Sequence, residues 1–305
     1  MFALTINNIK FSSPILVASG TYGYGHEVND IAQVDQLGGI VTKSVTLKPR
    51  EGNPPPRIAE TSSGMLNSIG LANLGVEQFC KEKIPYLNKL KTNVIINVAG
   101  STFEEYIDTI ELLESHNNSN HVGYEINISC PNVKQGGMEF GVNSKMTEQL
   151  TSNIRKLTNK LLIMKLSPNV TDIQDIAKAS ENGGADAVSA INTVVGMGID
   201  IKTRKPKLYT TMGGLSGPAI KPIALANVHK IYKEVSIPII GIGGISCAED
   251  VIEFILAGAS LIQIGTHNYT NPNIGIDILS DLNAFCKENS IDNISTLKGK
   301  VNYHE

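Results

Sequence analysis

Five polar side chains interrupt apolar runs that would otherwise serve only to close a core. Lys43 follows Ile40-Val-Thr, Asn97 follows Ile95-Ile96, and Asn127 follows Glu125-Ile126. Lys165 follows Ile163-Met164, and Asn192 follows Ala190-Ile191. An unpaired buried amide costs roughly 1–3 kcal/mol and an unpaired ammonium more. Each of the five, taken singly, can point outward or pair internally, with Glu125 for instance neutralising one lysine. Taken together at one level, they call for a ligand or a network. Two cations and three amides suit a polar heteroaromatic ring that carries a carboxylate.

A sixth residue has reactivity of its own. Cys130 stands in Asn127-Ile-Ser-Cys-Pro-Asn132, at the end of an apolar run and before a glycine-bearing loop, 136–141. An exposed thiol with a pKa near ~8.5, lowered by neighbouring lysines, acts as a base or a nucleophile. Cys80 and Cys286 fall on helix-like segments and read as small core residues, and Cys247 also reads as structural.

Three glycine-rich turns complete the set: Gly241-Ile-Gly-Gly-Ile-Ser246, Ile264-Gly-Thr266 and Gly213-Gly-Leu-Ser-Gly-Pro218. Glycine lets backbone N–H groups approach an anion closely, and a following helix N-terminus adds its dipole. Ordinary tight turns would use the same residues. The full dinucleotide fingerprint is absent, because Gly241-x-Gly-Gly comes late and has no acidic partner at the required distance. A phosphate beside a polar ring points to a mononucleotide, and flavin mononucleotide (FMN) fits best.

The elements that must position these groups recur along the chain. Strand-like runs occupy 14–20, 39–46, 94–100, 123–130, 161–168, 187–193, 237–245 and 260–266. Helix-like segments occupy 75–90, 103–115, 145–159, 172–182, 220–234, 248–257 and 274–289, with Asp172 and Ser246 as N-caps. Strands that are apolar throughout are buried on both faces. Eight of them alternating with helices predict an α/β fold, a (β/α)8 TIM barrel. Leu4–Ile6 and Ile9–Phe11, split by Asn7-Asn8, predict an N-terminal β-hairpin under the barrel floor. Connections 47–74 and 194–219 are too long for simple turns and read as extended loops at the C-terminal face, where barrel active sites lie. No linker or repeat divides the chain, so residues 1–305 read as one domain.

Composition agrees with an enzyme. Of 305 residues, 41% are hydrophobic and 18% charged, below the roughly 25% charged residues of an average soluble protein, which excludes intrinsic disorder. The net charge of −3 argues against a nucleic-acid backbone binder. The four cysteines include no CxxC spacing, so neither a zinc nor an iron–sulfur site is read, and a reducing, cytoplasmic location is expected. No apolar run approaches the ~18 residues of a membrane span.

The motifs are similar to those of a known family. Asn127-Ile-Ser-Cys-Pro-Asn-Val133, Thr42-Lys-Ser-Val-Thr46, Lys48-Pro-Arg-Glu-Gly-Asn-Pro-Pro-Pro-Arg57 and Asn67-Ser-Ile-Gly-Leu-Ala-Asn73 resemble dihydroorotate dehydrogenase. So do Asn192-Thr193, Gly241-Ile-Gly-Gly244 and Gly265-Thr266. The likeness runs in order along the whole chain. The cysteine at 130 resembles class 1, since class 2 places serine there and adds an N-terminal membrane-associating segment. Asn67-Ser-Ile-Gly-Leu-Ala and Lys134-Gln-Gly-Gly-Met-Glu-Phe-Gly141 look more like subclass 1B than the fumarate-using 1A.

The resemblance implies that Cys130 removes the C5 proton of dihydroorotate while hydride passes from C6 to N5 of FMN, under a lid that excludes water. It assigns Lys43, Asn67, Ser68, Ile69, Gly70, Leu71, Asn127, Asn132, Asn192 and Thr193 to the substrate. Ser19, Lys43, Ser44, Asn97, Asn127, Lys165 and Ile191 go to the flavin, and Gly217, Gly243, Gly244, Gly265 and Thr266 to its phosphate. Subclass 1B further implies a homodimer core in a heterotetramer with a subunit carrying FAD and a [2Fe–2S] cluster, which reduces NAD+. The alternatives are a 1A enzyme, a related dihydropyrimidine-oxidising flavin barrel, a flavin barrel that reduces uridine in RNA, and a non-catalytic phosphate-binding barrel or scaffold.

Overall fold

Eight short parallel strands close on themselves in chain order. They are β1 (Ile15–Val17), β2 (Gly39–Val41), β3 (Asn93–Val98), β4 (Gly123–Asn127), β5 (Leu161–Leu166), β6 (Ala187–Ala190), β7 (Ile239–Ile242) and β8 (Leu261–Ile264). The pairing of β8 with β1 completes the ring. This computed structural model describes residues 2–129 and 140–303. Each apolar run read from the sequence supplies one barrel strand, shorter than the run; Asn97, Asn127 and Lys165 stay in the ladder near its C-terminal end, while Lys43 and Asn192 lie just past it.

Alternation along each strand sorts side chains to two environments. Val94, Ile96 and Val98 pack outward against helices with Tyr124, Ile126, Leu162 and Met164. Leu16, Ile95, Ile163 and Ile240 fill a separate apolar layer inside the ring. Ile6 and Phe11 join that inner layer from the hairpin Leu4–Ile6/Ile9–Phe11, which therefore plugs the N-terminal end. Its turn residues Asn7 and Asn8 both have positive φ, 45° and 62°, a conformation asparagine tolerates.

The helices are α1 (Val76–Glu82), α2 (Ile84–Leu87), α3 (Phe103–Ser115), α4 (Ser144–Arg155), α5 (Ile173–Asn182), α6 (Lys221–Tyr232), α7 (Ala248–Ala257) and α8 (Ile274–Glu288). Three expectations need correction. The segment 75–90 is not one helix: it breaks at Lys83, where Pro85 in the next turn cannot continue the ladder. The β1–β2 connection carries only two 3₁₀ turns, His26–Val28 and Val34–Gln36. Asp172 does cap α5, accepting from the Gln174 N–H at 2.9 Å, but α7 is capped by Cys247 and not by Ser246.

The two long connections are joined in a way their separate sequences do not reveal. Their strands form one antiparallel sheet in the order 194–197, 212–216, 64–67, 58–61. This sheet stands over the C-terminal opening of the barrel.

Candidate active site

A cavity opens at the C-terminal end of the ring. Its wall includes Ala18 to Thr21 after β1, Lys165 of β5, Ile191 to Thr193 after β6, Gly243 to Ile245 after β7, and Gly265 to His267 after β8. Met65 and Asn67 reach it from the overlying sheet, and Tyr269 stands at its rim. Twelve of the residues singled out in the sequence line it: Ser19, Asn67, Ile69, Lys165, Ile191, Asn192, Thr193, Gly217, Gly243, Gly244, Gly265 and Thr266. Cys130 and Asn132 lie outside the described residues. Lys43, Ser44, Ser68, Gly70, Leu71, Asn97 and Asn127 are not among the described lining residues.

Several of those seven have visible work behind the wall. Glu125 is 0% exposed and sits inside the ring. Its Oε1 accepts from Asn97 Nδ2 at 2.8 Å and pairs with Lys165 Nζ at 3.4 Å. Its Oε2 accepts from Ser189 Oγ at 2.9 Å and Gln263 Nε2 at 2.7 Å. Ser44 Oγ in turn donates to Asn97 Oδ1 at 2.5 Å. Internal pairing thus accounts for Asn97 and in part for Lys165, which is 6% exposed and still borders the cavity. Gln263 and Ser189 carried no signal in the sequence beyond their inward register on β8 and β6.

The amides form a second group. Asn192 Nδ2 donates to Asn127 Oδ1 at 3.3 Å, and Asn127 Oδ1 also accepts from the Ser129 N–H at 3.2 Å. Asn169, unremarked in the sequence, clamps the next residue: its Nδ2 donates to the Thr193 carbonyl at 3.0 Å while its Oδ1 accepts from the Val195 N–H at 2.9 Å. The turn from Asn67 to Asn73 is pinned by its last residue. Asn73 Nδ2 donates to Thr46 Oγ1 at 2.8 Å and the Leu71 carbonyl at 2.7 Å, and its Oδ1 accepts from the Thr46 and Gly75 N–H groups. Gly70 and Leu71 both have positive φ there, 74° and 56°.

Lys43 is half-buried just beyond β2, and its backbone N–H donates to the Gly23 carbonyl at 2.7 Å. Burial holds its ammonium below the ordinary lysine range; Glu27 opposes the shift and Arg57 adds to it.

The glycine turns divide by cause. At Gly243 and Gly244, φ is 130° and 74°, and a Cβ would stand 2.8 Å from Ala224 Cβ or from the Lys221 backbone nitrogen. Tight packing of the chain alone demands those glycines. Gly265 differs: a Cβ there would meet only Ala18 Cβ, at 3.8 Å, so its empty side is the cavity itself. The segment 212–216 is strand and not a phosphate loop, leaving Ser216, Gly217 and Pro218 on the cavity wall. The two N–H groups just before α7 face the carboxylate of Asp250 in its first turn, which accepts from Ser246 N at 2.7 Å and Cys247 N at 3.3 Å. The α7 terminus is therefore already matched by a protein anion. A buried cation at one end and an open glycine wall at the other fit a mononucleotide flavin.

The remaining cysteines agree with structural roles: Cys80 and Cys286 are buried and Cys247 is partly so, all three unbridged. Among the described residues, no helix is long and apolar enough to cross a membrane.

Comparison with known proteins bears on the same residues. The family described as "Dihydroorotate dehydrogenase" matches residues 1–286. The protein named "Dihydroorotate dehydrogenase B (NAD(+)), catalytic subunit" in Desulforamulus reducens is 49% identical over 297 residues, spanning 97% of both chains. Its namesake in Parabacteroides distasonis is 48% identical over 298 residues, spanning 98% of this chain and 97% of that one. With a closed parallel barrel, a polar cavity at its C-terminal end and these matches along nearly its full length, the chain belongs to the dihydroorotate dehydrogenase family.

Proposed function

We propose that this chain is the FMN-binding catalytic half of a two-subunit dihydroorotate dehydrogenase, oxidising dihydroorotate to orotate in pyrimidine biosynthesis and passing the electrons to NAD+. One observation carries the reading: the cavity unites a buried ammonium, Lys165, with amide and hydroxyl groups from Asn67, Asn192 and Thr193 and with the glycine wall at Gly265. That set suits an anionic pyrimidine stacked on a flavin.

In this reading Asn67, Asn127, Asn132, Asn192 and Thr193 hydrogen-bond the ring and its carboxylate, with the backbone from Ser68 to Leu71 assisting. Lys43 stands between substrate and cofactor. The Cys130 thiolate takes the proton from C5 of the substrate. Bound FMN supplies the acceptor for the hydride that leaves C6. Ser19, Ser44, Asn97, Lys165 and Ile191 hold the flavin side, and Gly217, Gly243, Gly244, Gly265 and Thr266 its phosphate. Residues 1–305 act as one domain, in the cytoplasm, within a homodimer core that binds a subunit carrying FAD and [2Fe–2S]. The names of the relatives, "catalytic subunit" and "NAD(+)", support a second subunit and that acceptor.

The test is a spectrum. The purified chain is expected to be yellow, absorbing near ~450 nm, and to bleach when dihydroorotate is added without oxygen. A colourless protein that binds no FMN on reconstitution would refute the proposal. Rapid fumarate reduction by the chain alone would instead make it a 1A-type enzyme.

A further inference from the structure

We propose that Glu125 is the positioning residue of this site: its carboxylate, sealed inside the barrel, fixes Lys165 and Asn97 and governs how much of the Lys165 charge reaches a bound flavin. The inference rests on the reading that Lys165 faces FMN.

Polar side chains from four other strands converge on this one group. Asn97 comes from β3, Lys165 from β5, Ser189 from β6 and Gln263 from β8, all within 3.4 Å of a Glu125 oxygen. A carboxylate withdrawn from water demands such compensation. Elsewhere inside the ring Ile95, Ile163 and Ile240 pack in an apolar cluster without charge. The pair also has a direction. Lys165 borders the cavity and Glu125 does not, so the ammonium faces the ligand and the carboxylate stands behind it. Two opposite charges in line present a ligand with a weaker positive field than the ammonium alone. Glu125 thus both holds the ammonium in place and tempers it.

The network tolerates removal of that charge. Gln263 Oε1 is buried and without a hydrogen-bond partner. In E125Q, turning the Gln263 amide over would present this oxygen to the new amide nitrogen, and the Ser189 hydroxyl can accept as well as donate. The hydrogen bonds survive and the negative charge is lost.

The experiment measures the reduction potential of FMN bound to the purified holoprotein, in wild type, K165M, E125D and E125Q. The expected order is K165M lowest, then wild type, E125D and E125Q. Aspartate draws the carboxylate back from Lys165, and glutamine removes its charge. A purely structural role for Glu125 would not produce shifts of opposite sign at the two partners. An E125Q potential at or below wild type overturns the proposal. Should E125Q fail to retain FMN, an E125D potential at or below wild type does so. An unchanged potential in K165M overturns the underlying reading of Lys165, separately from the role of Glu125.

Discussion

Asn67 and Gly214 face each other across an antiparallel pair, and the Asn67 side-chain amide donates to the Gly214 carbonyl at 3.4 Å. The two residues belong to different excursions from the barrel, 147 residues apart. An amide proposed to read the substrate ring is therefore aimed by a strand that follows six barrel strands in the chain. Gly214 also lies against Thr193, so two cavity residues, Asn67 and Thr193, meet at one backbone position.

A methyl group at 214 tests that arrangement. In G214A the new Cβ would fall 2.1 Å from Thr193 Oγ1 and 2.5 Å from Thr193 Cβ, and a β-branched side chain cannot swing aside freely. We expect KM for dihydroorotate to rise by roughly 10–100-fold while the FMN:protein ratio stays near wild type. Equal losses of both would mean that Thr193 supports the flavin site as well.

Replacing the proposed base should separate binding from chemistry. C130S is expected to keep its flavin and lose about 10²–10⁴-fold in turnover at neutral pH, because a hydroxyl is a far poorer base than a thiolate. The wild-type rate should rise with pH until the thiol ionises. Near-normal turnover in C130S would rule out the assignment.

The two kinds of glycine at the cavity should fail differently. G244A places a Cβ 2.8 Å from the Lys221 backbone nitrogen at a φ of 74°, so the flavin-free protein itself should melt several degrees lower. G265A puts its methyl into the cavity and should act chiefly on FMN affinity, reduced by tenfold or more. Calorimetry of the flavin-free variants and FMN titration distinguish the two.

Stability should fall in mild acid because of His121. It is 5% exposed, and burial, with Lys160 adding and Glu114 opposing, lowers its pKa from 6.5 to about 4. The unfolded chain therefore binds a proton below pH 6.5 that the folded protein refuses until near pH 4. Unfolding free energy should drop by roughly 2 kcal/mol between pH 6.5 and 5, above the range where ordinary carboxylates titrate. Urea melts of wild type and H121F across that window should differ in slope, with H121F the flatter.

Electron delivery gives a last check. With dihydroorotate as donor, the chain alone should reduce artificial dyes but not NAD+, and the partner subunit should restore NAD+ reduction. Reduction of NAD+ by the isolated chain would remove the need for that subunit.

Much of the barrel was legible in the sequence because each strand carries its own signal: an apolar run that stops at a polar residue. The polar stops also marked Lys165, Asn192 and Asn97 as unusual. The sheet joining 58–67 to 194–216 was not legible, since pairing across such a separation depends on where the barrel puts its ends. Gln263 and Ser189 were missed for a related reason. Each looks ordinary in its own strand, and only closure of the ring brings them to Glu125. The α7 cap slipped by one residue because Ser246 and Cys247 both approach Asp250, and neighbouring N–H groups compete for one carboxylate.

The hairpin seated in the barrel floor has a consequence for traffic. With Ile6 and Phe11 stopping one end, the described ring is a vessel with a single mouth. On the proposed function, a flavin lying along its wall would leave the pyrimidine no rear entrance, and the oxidant no separate door. Substrate and oxidant must then either take turns at the same opening or divide the task, one entering and the other drawing electrons out through protein. A protein surface placed against the flavin edge resolves that queue without any molecule having to leave first.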